Sequence, residues 1–202
     1  GHLFSYLLCR AKLLQRRSFF MKKLKTLQMT VDAMLAALCA VLGYIALDLG
    51  NIKITFEGIP VLIAAFFFGP VDGVIVGGLG TFVYQILRYG ITATTFLWIL
   101  PYVLYGLLMG LYAKKVKFKF NYLLTAIAVI AGELMITALN TGSLFIDSKI
   151  YGYYSPVFIF GSLGIRLVIC VGKAIVISVV LPALMKAVGN IKEVAMLRGE
   201  SN

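Results

Sequence analysis

The chain has 202 residues, of which 61% are hydrophobic and 13% charged, and its formal net charge is +11. A water-soluble domain of this length needs far more polar surface, so composition excludes that class. The positive charge does not point to nucleic acid either, because lysines and arginines gather at the ends of apolar runs and form no basic face with stacking aromatics.

The apolar runs are continuous, without the polar–apolar alternation of a membrane barrel, and several approach the ~20 residues that a spanning helix needs. The expected fold is therefore all-α: a polytopic membrane protein with six transmembrane helices in the lipid bilayer and both termini on the cytoplasmic side.

Residues 3–20, LFSYLLCRAKLLQRRSFF, mix apolar and basic residues. They read equally as a helix lying on the membrane surface or as an addition foreign to the natural protein. Gly1-His2 has the look of a cloning remnant, and Met21-Lys22-Lys23 that of a natural start. The expected organisation is a basic extension over 1–20 and one membrane domain over 21–202.

The first span is expected from Leu27 to Leu49. It carries two overlapping small-residue stripes, Ala33 with Ala37 and Ala36 with Ala40. Small residues four apart share a helix face and let another backbone approach closely. Asn51–Gly58 alternates β-branched and polar residues between glycines, which predicts an extended loop. Ile59–Gly69 follows, short for a span, and is broken by Phe68-Gly69-Pro70. Further runs are expected at 74–87, 94–112, 120–144 and 156–185.

Charge decides whether 59–87 is one broken helix or two. Basic residues concentrate before the first span, in the Lys114–Lys119 loop and after the last span, whereas the remaining connections hold Lys53, Arg88 and Lys149. Six crossings put all three rich clusters on one side, as the positive-inside rule requires, and five would not.

Glu133 and Asn140 fall inside the fifth run, and Arg166 and Lys173 inside the sixth. A charge in hydrocarbon costs at least ~2.5–3.5 kcal/mol on insertion scales, so it must pair or face a polar cavity. Glu133 and Lys173 are expected to pair with each other near mid-membrane. Arg166 and Asn140, in the outer halves of their helices, mark a cavity open to the outside together with Arg88, Tyr89 and Trp98. For Arg166 an internal ion pair or a snorkelling position is the rival reading. Tyr151, Tyr153 and Tyr154 suit an interfacial belt, whereas Tyr89 and Trp98 suit a belt or a flat ligand equally.

Catalysis finds no support. The single histidine, His2, lies outside the bundle, and no phosphate-cradling Gly-x-x-x-x-Gly-Lys-Ser/Thr loop is present. The three cysteines lack metal-ligand spacing. The expectation is a binding protein, not an enzyme, with no cofactor or metal. A membrane enzyme would need a paired nucleophile and base in the bundle. A non-transport interaction protein would bury and pair Arg166 and Asn140.

Several stretches together are similar to a known family. They are the two alanine stripes of the first helix, Ile52-Lys53-Ile54-Thr55-Phe56-Glu57-Gly58-Ile59-Pro60, and Phe68-Gly69-Pro70-Val71-Asp72-Gly73. Thr92–Pro101 and Ala138-Leu139-Asn140-Thr141 complete the set. Over residues 24–188 the chain resembles the substrate-binding S components of energy-coupling-factor (ECF) vitamin transporters, and within them the folate type. The resemblance implies a multi-pass protein of a bacterial cell membrane that captures a small-molecule vitamin outside the cell. Its partners would be a transmembrane coupling subunit, docking on Ala33, Ala36, Ala37 and Ala40, and two ATPase subunits. The segment 50–58 would be a lid. For folate, Arg166 or Arg88 suits the glutamate carboxylates, Trp98, Tyr89 or Phe56 the ring, and Asn140 the pterin edge. Pantothenate and a queuosine precursor are alternative ligands of the same architecture.

Overall fold

The computed structural model describes residues 25–45, 47–48, 53–118 and 121–189. The expected extension over 1–20, its boundary with the membrane domain, and the middle of the expected lid lie outside these residues. In chain order come α1 (Lys25–Tyr44), β1 (Leu47–Asp48), β2 (Lys53–Ile54), α2 (Gly58–Phe67), α3 (Pro70–Tyr89), α4 (Thr95–Lys115), α5 (Tyr122–Ile150), α6 (Pro156–Phe160) and α7 (Leu163–Gly189). Among the described residues, five helical segments are long and apolar enough to cross a membrane: α1, α3, α4, α5 and the α6–α7 pair.

The sixth, α2, has ten residues. At ~1.5 Å per residue it is about 15 Å long, half of a ~30 Å hydrocarbon core. It is tolerated because it meets protein on all sides: Val61, Leu62, Ala64 and Ala65 have no exposed surface. Its uniformly apolar sequence, Gly-Ile-Pro-Val-Leu-Ile-Ala-Ala-Phe-Phe, fits a helix enclosed all round. Gly69 then adopts φ 111°, a conformation that favours glycine, and Pro70 opens α3 where its missing N–H costs no hydrogen bond.

Helices α3 and α4 pack antiparallel with their backbones almost touching. A methyl group added to Gly106 would overlap the carbonyl of Gly73, and one added to Gly110 would overlap Pro70. One added to Gly77 would come 2.6 Å from the carbonyl oxygen of Tyr102. The glycines are spaced four apart on both helices, Gly73 against Gly106, Gly77 against Tyr102 and Gly110 against Pro70, so the close contact extends over more than one turn.

On the other side of α3, Gly80 receives α1: a methyl group there would lie 2.6 Å from Cys39 Cβ. This packing separates the two alanine stripes. Ala36 and Ala40 are buried with Cys39, whereas Ala33 and Ala37 are exposed. Of the four alanines expected to meet a partner, Ala36 and Ala40 therefore lie on the helix face directed at the bundle, and Ala33 and Ala37 lie on its outer face.

Three boundaries differ from expectation. Helix α1 ends at Tyr44, before Leu49, because β1 leaves it to pair antiparallel with β2, Leu47 opposite Ile54 and Asp48 opposite Lys53. Helix α5 runs to Ile150, past Leu144. The last run is divided at Gly161 and Ser162, the kind of small-residue pair at which helices bend.

The two ends of the bundle differ. At one lie Lys25, the α2–α3 turn with Lys114 against it, Lys115 and Lys186. Gln28 Nε2 donates to Asp72 Oδ1 at 2.6 Å there, tying α1 to α3. At the other end lie the β1–β2 hairpin, the 90–94 turn and the α5–α6 loop.

Candidate ligand-binding site

Because α2 fills only half the depth, the hairpin end of the bundle is left with a cavity of about 530 Å³, bounded by the hairpin, α3, α4, α5 and α7. Its deep end holds the one charge pair that the sequence predicts: Lys173 Nζ lies 2.6 Å from Glu133 Oε2, with Glu133 only 1% exposed. Gly58 is required beside it, since a side chain there would meet Glu133 Oε1 at 3.2 Å and the Tyr105 ring at 3.3 Å.

Next to this pair stands Glu57, at the start of α2. Thr55 donates to Glu57 Oε1 at 3.1 Å, and the Tyr102 hydroxyl lies 3.2 Å from Thr55 Oγ1. Thr55 has one proton and gives it to Glu57, so Tyr102 must donate to Thr55. The relay runs toward the carboxylate and keeps Glu57 an acceptor. The positive end of the α2 dipole acts in the same sense. Cys39 Sγ also donates to the Glu57 carbonyl at 3.3 Å, linking the site to α1.

The rim is fastened around Asp147 near the end of α5. The hydroxyls of Thr94 and Tyr153 both donate to its carboxylate. Ser143 Oγ donates to the Leu97 carbonyl at 2.9 Å, and Ala93 N–H donates to the Tyr151 hydroxyl at 3.3 Å. Tyr151, expected as a belt residue, thus also holds the α3–α4 turn against α5, and Tyr153, expected likewise, ties the α5–α6 loop to Asp147. Partial burial, and then the bond to Asp147, push the Tyr153 hydroxyl up to about 12 from its ordinary value near 10.

Of the residues singled out by sequence, Arg166, Asn140, Trp98 and Tyr89 come together on the walls of this one cavity. Arg88 and Phe56 do not line it. Arg88 Nη1 donates to the Tyr44 carbonyl at 3.3 Å and its guanidinium lies 5.8 Å from the Tyr89 ring. Phe56 contributes its carbonyl to Ile59 N–H at 3.0 Å, in the first turn of α2. Sequence reasoning missed Glu57, Gln85 and Asp147 as lining residues. The insertion-cost argument that selected Glu133 applies equally to Glu57 and Gln85, which sit beside or within apolar helices. Among the described residues no hydrogen bond ties down the side-chain amides of Asn140 and Gln85. Each presents a donor and an acceptor to the cavity.

The walls differ in charge. Helix α7 supplies Arg166 and Lys173, whereas the hairpin side supplies Glu57 and the rim Asp147. With aromatic rings between them, the arrangement suits a flat, polar, partly charged molecule.

Solved structures share this fold. An S component for biotin from an ECF-type ABC transporter superposes with a TM-score of 0.62 at 21% identity, covering 80% of this chain and 92% of its own. The S component of a bacterial ECF transporter superposes at 0.59 and 23% identity, covering 82% of this chain and 97% of its own. No curated protein matches the chain by sequence. The family model for the substrate-specific component of ECF transporters matches residues 27–193, most of the chain, and with the spanning helices and the walled cavity this places the protein in that family of membrane transport subunits.

Proposed function

We propose that this chain captures a vitamin, folate first among candidates, from outside a bacterial cell and presents it to a coupling subunit driven by two ATPases. The observation that carries this reading is the cavity at the hairpin end, with a cationic wall on α7, an acidic wall beside α2, and unengaged amides between them. The lysine-bearing end then faces the cytoplasm, by the positive-inside rule, and the cavity opens outward. Both termini are cytoplasmic in this orientation. Ala33 and Ala37 form the smooth part of α1 against which the coupling subunit docks. The hairpin, whose Ile54 and Thr55 line the cavity, closes over the ligand. Arg166 faces an anionic group of the ligand, while Asn140, Trp98 and Tyr89 contact its ring.

The test is mass spectrometry of ligand carried through purification, followed by titration of Trp98 fluorescence with folate, biotin, pantothenate, riboflavin and thiamine. Trp98 is the chain's one tryptophan, so its signal reports the cavity. The expected result is one vitamin bound at sub-micromolar Kd. Recovery of no ligand, with no response to any vitamin, refutes the capture role. A response to biotin or pantothenate alone removes folate and keeps the role.

A further inference from the structure

We infer that Asp147 is the positioning residue of the cavity mouth: its carboxylate orders the hydroxyls of the α3–α4 turn, straps that turn to the α5–α6 loop, and so sets how readily a molecule passes into the cavity. Passage has a purpose only under the capture role proposed above, on which the inference rests, whereas the strap acts in the same way whichever ligand binds.

Two segments distant in sequence meet at this carboxylate. Thr94 donates to Oδ1 from the turn over 90–94, and the Tyr153 hydroxyl donates to Oδ2 from the loop over 151–155. All three residues line the cavity. Proton counting gives the direction of the other bonds in the turn. A hydroxyl has one proton, and Thr94 gives its own to Asp147, so Thr92 Oγ1 must donate to Thr94 Oγ1 at 3.3 Å. Thr95 Oγ1 then donates to Thr92 Oγ1 at 3.0 Å and accepts from Thr92 N–H at 2.9 Å. The turn is a row of hydroxyls whose protons all point toward one negative charge. An ionised carboxylate is acceptor-only, which fixes that direction, whereas an amide in its place would offer donors as well.

The remaining ties are weaker. Tyr151, Tyr153 and Tyr154 are exposed, so the loop gains little from apolar burial and opens at low cost unless polar bonds hold it. Ala93 N–H donates to the Tyr151 hydroxyl at 3.3 Å, Lys149 Nζ lies 3.7 Å from the Tyr154 ring centroid, and Tyr154 meets Phe145 edge-on. The first bond is neutral and the other two are surface contacts of a ring, each weaker than a hydroxyl donating to a carboxylate. The Ser143–Leu97 bond fastens the first turn of α4, beyond the 90–94 turn. Both segments also have room to move. Gly90 opens the turn at φ 72° and Gly152 lies in the loop at φ 77°, and nothing lies within 4 Å of a methyl group built on either. With a permissive glycine in each segment, the bonds at Asp147 decide whether the two stay together.

Two cysteines make the test independent of any ligand. Cys170 on α7 is buried and lines the cavity, so its alkylation by N-ethylmaleimide reports passage through the mouth. Cys39, fully buried where α1 meets Gly80 of α3, is not among the lining residues and reports loosening of the bundle as a whole. Both rates are followed by peptide mass spectrometry on the purified full chain. Asp147→Asn should raise the Cys170 rate at least about tenfold, the scale of a hydrogen bond to a charged group, with the Cys39 rate unchanged. Thr94→Val or Tyr153→Phe added to Asp147→Asn should bring no further rise, since each removes a bond already lost. If Asp147→Asn does not fold, Thr94→Val combined with Tyr153→Phe, which keeps the charge and removes both donors, should show the same rise. An unchanged Cys170 rate in a folded variant would overturn the inference and leave passage to the hairpin alone. So would Cys170 and Cys39 rates that rise together, or a further tenfold rise on adding either hydroxyl variant. None of these outcomes depends on which vitamin binds, so the capture role stands or falls separately, on ligand recovery and titration.

Discussion

Replacing Gly106 with alanine tests the closest contact in the bundle. The added methyl group would overlap the carbonyl of Gly73, and what it meets is helix backbone on α3, which cannot rotate away as a side chain can. Overpacking of this kind costs typically 1–3 kcal/mol, and a backbone obstacle argues for the upper figure. Alanine's better helix propensity returns about 1 kcal/mol. The net expectation is a loss of about 2 kcal/mol. Gly172→Ala is the matched control: it is also helical, but nothing lies within 4 Å of its added methyl group, so it should gain up to about 1 kcal/mol. The two variants should therefore differ by about 3 kcal/mol. At about 2–4 °C per kcal/mol for a chain of this size, that is a Tm difference of about 6–12 °C. Thermal unfolding in one detergent, followed by circular dichroism, measures it. Equal Tm values, or a less stable Gly172→Ala, would refute the backbone-contact reasoning.

Four other outcomes are expected. Lys173→Met alone should destabilise by about 3–5 kcal/mol, because it leaves Glu133 charged, buried and uncompensated, whereas Glu133→Gln with Lys173→Met should recover most of the loss; chemical unfolding of the three variants decides it. Arg166→Ala should weaken an anionic ligand by more than about tenfold, read by Trp98 titration, and an unchanged Kd in a folded variant removes Arg166 from the site. Tyr153 should ionise near pH 12, visible as a step in tyrosine absorbance missing from Tyr153→Phe. Its raised value favours the neutral hydroxyl in the folded state, so its contribution to stability is fully present below pH 10 and lost as pH rises toward 12. Ala37→Leu, which places a bulky side chain on the exposed face of α1, should reduce co-purification with a coupling subunit while ligand binding is unchanged.

The helices were legible because hydrocarbon demands long apolar runs, and the lysine clusters resolved the ambiguous 59–87 region into two helices. The Glu133–Lys173 pair was legible because two opposite charges at similar depth have few other options. What sequence did not supply was rotation about each helix axis. Ala33/Ala37 and Ala36/Ala40 have the same spacing, and only the position of Gly80 on α3 determines which stripe is buried. Arg88 and Tyr89 are adjacent in sequence, yet only Tyr89 lines the cavity, since neighbours on a helix point about 100° apart. Glu57 escaped notice because it lies in a segment read as a loop, where a carboxylate needs no explanation. Only the burial of α2 moves it to the inner wall of the cavity.

The brevity of α2 also bears on how the protein enters the bilayer. A ten-residue helix is too short to partition as an independent span, so its insertion depends on α3, to which the Gly69-Pro70 turn joins it directly. The pair must pass into the membrane as one helical hairpin, and the glycine contacts with α4 then close over it from the far side. Until α4 has been made, the all-apolar surface of α2 has no complete enclosure. The order of synthesis thus places the moment of greatest exposure between the end of α3 and the arrival of Gly106 and Gly110.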